Sequence, residues 1–285
     1  MKKFALVVDE SGSKGYSRKK GNDANAFGIM CGYLIEDDWV DAVRIGFNQL
    51  LLPVTNTINN GKLHITDLEP EQQEYARKII CEKFSDIGVI WFYSAIYQQG
   101  FYESVHNRGG DKKNKRGELL HAELFYHLLV KVLDYISKTE DREISISIIS
   151  DTVDKKTLKE FEKKISDYVN VITGKRNEYK YTQYDEDTGT YSKFTMVSEV
   201  IANNGTLLDV LDLKFSSEDS SLTFVADILS NMAYYYIKDN IKKDSNIKLN
   251  SISAIDKHPL KDFVLGCYDD EKEDVMSLFD VLHRK

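Results

Sequence analysis

The sequence predicts an α/β protein built on a mixed five-stranded sheet flanked by helices, and three stretches carry this prediction. Phe4–Val8 is an unbroken apolar run that leads into Asp9-Glu10-Ser11-Gly12, as a buried strand ending in a turn does. Glu143–Asp151 alternates apolar and polar residues, which is typical of a half-buried strand. Glu118–Ser137 repeats leucines at helical spacing and predicts an amphipathic helix.

The remaining patterns complete a core of five strands. They predict further strands and helices at Ala26–Ile35, Gly88–Tyr97, Asp154–Val169, Leu207–Phe215 and Ser220–Asp239. When the helices between the second and third strands are treated as an insertion, the order is strand, strand, strand, helix, strand, helix, strand, helix. That is the ribonuclease-H-like order, in which the first and fourth strands lie side by side.

The chain is predicted to form a single domain over residues 1–285. It has 285 residues, of which 42% are hydrophobic and only three are prolines, and it contains no linker rich in Gly, Ser and Pro. Two insertions are expected in the core, a helical one at about 38–86 and a hairpin at about 177–197. An acidic tail follows at 269–285 and is predicted to be a short amphipathic helix.

Two signals set the helices of the first insertion. Asp37 or Asp38 is expected to cap a helix that runs through about Leu52, and Pro53 is expected to stop it. Pro70 is expected to open the second helix, which continues to about Asp86, because proline is favoured in the first helical turn.

Charge and cysteine content narrow the range of partners and compartments. The net charge of −8 argues against a surface coated in basic residues, but it leaves room for local contacts to a nucleic-acid backbone. The basic loops 14–20 and 108–116 are candidates for such contacts. The other interpretation is that the first is a flexible hairpin connection and the second a solvated loop. Three widely spaced cysteines without a CxxC pair favour a reducing cytosol. We therefore expect a soluble, cytoplasmic protein without a membrane partner, since no apolar segment reaches the roughly 20 residues needed to span a bilayer.

Asp9 is the first candidate site residue. The strand delivers its carboxylate to the rim of the core, where burial is costly unless a cation meets it. A divalent metal ion is one such cation. A Lys or Arg side chain, or plain exposure of Asp9 at a turn, explains the same pattern without any function.

Two further acids are expected near Asp9. Asp151 ends the fourth predicted strand, which should lie beside the first, and Asp227 sits in an otherwise apolar helix. Carboxylate oxygens are preferred ligands of hard cations, and two such ions about 4 Å apart can drive hydrolysis of a phosphodiester. The sequence therefore predicts Mg²⁺ or Mn²⁺ bound by Asp9, Asp151 and Asp227. The structural alternative for Asp151 is that it caps the helix that follows.

Three other residues have weaker claims on the same site. Glu10 adjoins Asp9 but points to the opposite face of an extended strand. Glu118 opens the long helix, where an acid favours the helix dipole, and it is the candidate fourth metal ligand. Glu118 and His121 also have the Glu-x-x-His spacing of carboxylate-bridged metal sites, of which the chain has one copy. His64 lies in an apolar Leu-His-Ile setting and is either a packed histidine or a group that acts on a proton or a phosphate.

Several of these motifs together resemble one known family. Asp9-Glu10-Ser11-Gly12 near the start, the Leu63-His64 segment, an acid ending the middle strand and Ala226-Asp227 in a late helix are similar to the bacterial and phage family called domain of unknown function 3800. The resemblance covers about residues 4–240. It implies a ribonuclease-H-like fold, the metal-dependent nuclease activity ascribed to the family, and an association with phage defence or mobile elements.

Carried over to this chain, the resemblance implies Asp9, Asp151 and Asp227 as metal ligands with His64 nearby. The family often has Gln three residues before the late Asp, and this chain has Phe224 there. The leading hypothesis is a Mg²⁺- or Mn²⁺-dependent nuclease assisted by Glu10 or Glu118. The second is a noncatalytic binding or sensor module with a protein partner or a second copy, and a third is a hydrolase of small nucleotides.

Overall fold

The computed structural model describes ten stretches of the chain, namely 1–12, 26–56, 63–101, 117–138, 141–151, 155–174, 177–185, 189–198, 208–244 and 249–267. The predicted basic loops at 14–20 and 108–116 and the predicted acidic tail at 269–285 lie outside the described residues.

Five strands form one mixed sheet, as predicted. The strands of the chain are β1 (Lys2–Gly12), β2 (Phe27–Glu36), β3 (Ile90–Tyr97), β4 (Glu143–Ser150), β5 (Asn177–Asp185), β6 (Thr190–Ser198) and β7 (Val210–Ser217). The sheet has the order β3-β2-β1-β4-β7. The pairs β1–β2 and β2–β3 are antiparallel, whereas β1–β4 and β4–β7 are parallel. The first and fourth strands are therefore neighbours in the sheet, which confirms that part of the prediction.

Helices cover both faces of this sheet. They are α1 (Val40–Thr55), α2 (Pro70–Ile87), α3 (Gly117–Ser137), α4 (Lys155–Ile172), α5 (Ser221–Lys243) and the short α6 (Ser251–Ala254). None of the helices that the structure describes has both the length and the apolar character that a membrane crossing requires.

The side chains of β1 divide between two hydrophobic cores. Ala5 and Val7 pack in a core with α1, α2 and α5, whereas Leu6 and Val8 pack in a core with α3 and α4. Successive side chains of a strand point to opposite faces. Asp9 therefore belongs to the face covered by α5, and Glu10 belongs to the face covered by α3.

The ends of α1 differ from the prediction. Asp37 and Asp38 form a separate 3₁₀ turn, and α1 begins after Trp39 without any side-chain cap. Pro53 does not stop the helix but lies inside its last turn, two residues before Thr55. Proline lacks the N–H that would bond the carbonyl four residues earlier, and its ring crowds that carbonyl. The helix ends two residues later, so the disturbance is confined to its last turn. The predicted opening of α2 at Pro70 is confirmed.

The predicted hairpin at 177–197 is present. β5 and β6 pair with each other in antiparallel register and form a two-stranded sheet of their own. The hairpin thus stands apart from the five-stranded sheet that carries the candidate site.

Candidate active site at the ends of β1 and β4

The parallel pairing of β1 with β4 sets the first two acids beside each other. Val8 is opposite Ser150 in this register, so Asp9 follows on one strand and Asp151 on the other. The sequence suggested that Asp9 ends its strand, but β1 continues beyond it to Gly12. Its side chain is buried, with 7% of the residue exposed. The carboxylate is thus held inside regular structure, and plain exposure at a turn does not apply to it.

Gly12 lets α5 approach the end of β1. Its φ is +83°, a conformation that residues with a Cβ rarely adopt. A Cβ built there would lie 2.6 Å from the carbonyl oxygen of Phe27 and 2.6 Å from Cε2 of Tyr234 on α5. The glycine of the Asp-Glu-Ser-Gly motif is therefore required by packing, and the close approach that it permits helps to bring Asp227 to Asp9.

Asp227 meets Asp9 across this contact. Its carboxyl group shares a hydrogen bond with that of Asp9, and its Oδ2 accepts the backbone N–H of Ile65 at 2.6 Å. Burial is the main factor that raises the pKa of Asp227 above its usual range, and the negative charge of Asp151 raises it further. The hydrogen bonds and His64 act in the opposite direction. The structure therefore brings three acids from distant parts of the chain to one end of the sheet.

His64 lies between two of these carboxylates. Its Nε2 is 3.9 Å from Oδ2 of Asp151, and its Nδ1 is 3.8 Å from Oδ2 of Asp227. Both separations exceed a hydrogen bond, so the interaction is electrostatic. The His64 side chain is 36% exposed, compared with 20% for Asp151 and 14% for Asp227. The imidazole therefore sits at the mouth of the acidic site.

Ser230 is a site residue that the sequence analysis missed. Its hydroxyl lies 3.0 Å from the carbonyl oxygen of Asp227, one turn earlier on α5, and 3.4 Å from Oδ2 of Asp9. The side chain is fully buried. A signal was present in the sequence, because serine is a small polar residue three positions after Asp227 on a largely apolar helix.

Glu10 lies on the other face of the sheet and does not join the three acids. Its Oε2 is 3.1 Å from Nε2 of His121 on α3, and the imidazole packs edge-on against Phe161 with ring centres 5.0 Å apart. Strand alternation predicts the face correctly, but the sequence analysis did not pair these two residues. Glu118 belongs to the first turn of α3, and its side chain lies outside the described residues.

Asp227 lies close enough to Asp9 and to Asp151 for the three acids to influence one another. Within the described stretches, no group of three or more His, Cys, Asp and Glu side chains has the arrangement of a metal site. Asp9 and Asp227 instead share a hydrogen bond, and two carboxyl groups can do so only when one of them carries a proton. A proton thus reduces the repulsion that the crowded acids would otherwise feel, which is a role that a cation fills equally well.

Comparisons with known proteins do not assign the chain to a family. No protein-family model matches it, and no curated protein matches it either. The resemblance to domain of unknown function 3800 therefore stays a prediction that depends on the short motifs around Asp9, His64 and Asp227.

Proposed function

We propose that the protein is a metal-dependent nuclease that hydrolyses phosphodiester bonds. The observation that carries this proposal is that Asp227 meets both Asp9 and Asp151, with His64 between Asp151 and Asp227. Each acid comes from a different element, and each is largely buried. Grouped acids of this kind are costly to a folded protein unless a positive charge offsets them. The acids also lie near the carboxyl ends of a parallel strand pair, which is where open α/β sheets bind ligands.

The donor set fits a hard divalent cation such as Mg²⁺ or Mn²⁺. Asp9, Asp151 and Asp227 offer carboxylate oxygens only, which these ions prefer to nitrogen or sulfur. A cation held there would supply electrophilic activation of the phosphoryl group and stabilisation of charge on the leaving oxygen. Displacement of the proton shared by Asp9 and Asp227 would accompany its binding.

The surrounding residues would orient these acids and the substrate. The backbone N–H of Ile65 holds one oxygen of Asp227 in place, and Ser230 lies against Asp9. His64 is the most exposed member of the group, so it is placed to contact a phosphate oxygen or to move a proton at Nε2. Glu10 is not part of this set, because its contact with His121 lies across the sheet.

The strand order supports a ribonuclease-H-like core for this nuclease. The sheet order β3-β2-β1-β4-β7 with an antiparallel β2 is the arrangement expected of that fold. A cytoplasmic location, a nucleic-acid substrate and a role in phage defence or mobile elements belong to the same proposal. The role in phage defence or mobile elements depends on the motif resemblance, whereas the cytoplasmic location depends on the cysteine content.

Hydrolysis of labelled RNA and DNA tests the proposal. Purified protein is incubated with each substrate in Mg²⁺, in Mn²⁺ and in EDTA. We expect cleavage that needs the cation and falls at least about 100-fold in Asp9→Asn, Asp151→Asn and Asp227→Asn, since each removes a ligand charge. Asp239→Asn is the matched control, because this exposed acid lies on the same helix and pairs with Lys242. Cleavage by Asp9→Asn at the wild-type rate would contradict the proposal.

A noncatalytic binding or sensor module is the second candidate. The raised pKa of Asp227, which burial causes, favours it, because a protonated Asp227 can bond to Asp9 without a metal. A module of this kind would keep its biological effect and its partner in pull-downs when Asp9 is replaced by Asn. If the protein is a nuclease, the Asp9→Asn variant should fold normally but lose the biological effect.

A further inference from the structure

The helix face that carries Asp227 continues as a polar and aromatic strip. Asn231, Tyr234 and Lys238 follow Asp227 at spacings of four, seven and eleven residues, so all four lie on one side of α5. From Asp227 to Lys238 the helix rises about 16 Å. We call this set, with Arg77 and Tyr235, the α5 strip.

Arg77 of α2 brings to the strip a positive charge that no carboxylate of the described residues neutralises. Its Nη2 donates to Oδ1 of Asn231 at 2.8 Å and to Oε1 of Gln73 at 3.0 Å, and its Nε lies 3.3 Å from the same Asn231 oxygen. Both acceptors are neutral amides. Arg44 shows the contrast, because its guanidinium is paired with the carboxylate of Glu218 at 2.8 Å. Among the described residues, no carboxylate pairs with Arg77 in the same way.

The contacts of Arg77 also fix its orientation. Asn231 is buried, with 3% of the residue exposed, and Gln73 is itself held by the carbonyl of Leu68 at 2.9 Å. A guanidinium ordered in advance loses little entropy when it binds. Nε and Nη2 are taken up by the two amides, so Nη1 is the nitrogen that these contacts leave for a phosphate oxygen. Its partner Asn231 lies one helical turn from Asp227, in a chain whose net charge is −8. These features are typical of a residue that contacts an anion rather than of one that forms an ion pair within the fold.

Tyrosines and a lysine form the outer half of the strip. Nζ of Lys238 lies 5.2 Å from the ring centre of Tyr234 and 5.8 Å from that of Tyr235. Tyr235 is 47% exposed, and its ring lies 5.4 Å from that of Tyr234. An exposed ring beside a cation can take a nucleobase on its face while the cation meets the adjoining phosphate.

We propose that the α5 strip binds a single-stranded nucleic acid and leads it to the acidic site. Arg77 and Lys238 contact phosphates, and Tyr235 stacks on a base. A duplex fits poorly, because its bases are stacked on one another and cannot reach the tyrosine ring. The proposal rests on the proposed nuclease function for the meaning of the acids, but binding to the strip requires neither metal nor cleavage.

Binding without cleavage is the direct test. Fluorescence anisotropy is measured in EDTA with labelled oligouridine and oligodeoxyuridine of about 12 nucleotides, within the range of single-strand site sizes, and with a duplex of equal length. We expect both single strands to bind more tightly than the duplex. A difference between the two single strands would show whether the ribose hydroxyl contributes.

Matched variants separate charge from stacking. Asn231→Asp neutralises Arg77 while keeping an acceptor in place, and Lys238→Gln removes the second cation. Each should lower the slope of log affinity against log salt by about 0.7. Tyr235→Ala should weaken binding roughly tenfold and leave the slope unchanged. Lys78→Gln, on the exposed side of α2, and Tyr135→Ala, on α3, are the matched controls and should bind like the wild type.

The outcomes distinguish this proposal from the nuclease proposal. Equal affinity for duplex and single strands would contradict the proposal that the strip binds single strands. Wild-type salt slopes in folded Asn231→Asp and Lys238→Gln would contradict it as well. If Asn231→Asp fails to fold, Arg77→Gln gives the same reading of the slope. Binding that depends on the strip without cleavage in any metal would leave the strip standing and remove the nuclease function. Cleavage with the wild-type KM in Asn231→Asp, Lys238→Gln and Tyr235→Ala would support the nuclease proposal and contradict binding to the strip.

Discussion

The backbone N–H of Ile65 donates to Oδ2 of Asp227 at 2.6 Å. This bond joins the helical insertion between β2 and β3 to the helix that closes the acidic site. The residue before Ile65 is His64, so the same attachment places the imidazole at the mouth of the site. The insertion is therefore a wall of the candidate active site rather than an appendage to the sheet.

Replacement of an acid should stabilise the metal-free protein. In Asp227→Asn the repulsion from Asp151 disappears while the amide oxygen still accepts from Ile65, so we expect a higher Tm in EDTA. The same change should abolish the stabilisation that Mn²⁺ gives the wild type, which is about 2.7 kcal/mol at 100 times Kd. Thermal unfolding with and without Mn²⁺ measures both effects.

Asp239→Asn is again the control and should respond to Mn²⁺ as the wild type does. A wild-type protein whose Tm does not change at any Mn²⁺ concentration would contradict the assignment of Asp9, Asp151 and Asp227 as ligands, whatever the outcome of an activity assay.

Gly12→Ala should destabilise the protein by more than about 2 kcal/mol, because the new methyl group would overlap backbone and ring atoms at a positive φ. Urea unfolding measures the change. Gly46→Ala is the matched control: no atom lies within 4 Å of its Cβ position inside α1, so alanine should stabilise the helix by about 1 kcal/mol. If the two substitutions have the same effect, the packing role of Gly12 is wrong.

Glu10 and His121 should be energetically coupled. A double-mutant cycle with Glu10→Ala and His121→Ala should give a coupling energy of about 1–3 kcal/mol, because either single change leaves a largely buried partner without this 3.1 Å contact. Denaturant unfolding of the four proteins provides the energies. Additive effects would mean that the contact contributes nothing measurable to folding.

His258 should make stability depend on pH. Burial lowers the pKa of His258 to about 4, and its Nδ1 accepts the N–H of Leu260 at 3.2 Å. The unfolded chain takes up a proton near pH 6.5 and the folded protein does not. This contribution to stability is therefore complete above pH 6.5 and is lost as the pH falls towards 4, by about 3 kcal/mol.

His258→Asn isolates this contribution, since it keeps an acceptor for Leu260 but does not titrate. The variant should be less stable than the wild type at pH 7, because the ring contacts with Trp91 and Tyr236 are gone. Its deficit should shrink as the pH falls from 6.5 to 4 in urea unfolding. A deficit that stays constant over this range would show that His258 titrates normally in the folded protein.

Local patterns in the sequence predicted the sheet and the faces of its residues well. The apolar run before Asp9 and the alternation before Asp151 are properties of single strands, and the parallel pairing followed from the element order. The ends of α1 were predicted wrongly. The signals of Asp37, Asp38 and Pro53 are weak compared with the packing of Val43 and Phe47 against the sheet, and this packing decides how far the helix extends.

Contacts between elements were beyond the sequence. Nothing local indicates that Glu10 meets His121, or that Arg77 of one helix meets Asn231 of another, because each pair depends on how two helices or a helix and the sheet are packed. Ser230 and Asn231 could still have been flagged. Both are buried polar residues in a largely apolar helix, and such residues require a partner.

The parallel pairing of β1 with β4 has a consequence for biosynthesis. The ribosome releases Asp9 early, Asp151 much later, and Asp227 only when α5 is being made. A chain cut short before α5 carries two of the three acids and, of the α5 strip, only Arg77. A premature stop codon in that part of the message would thus yield a product without the complete site, and the full-length chain would acquire it only near the end of translation.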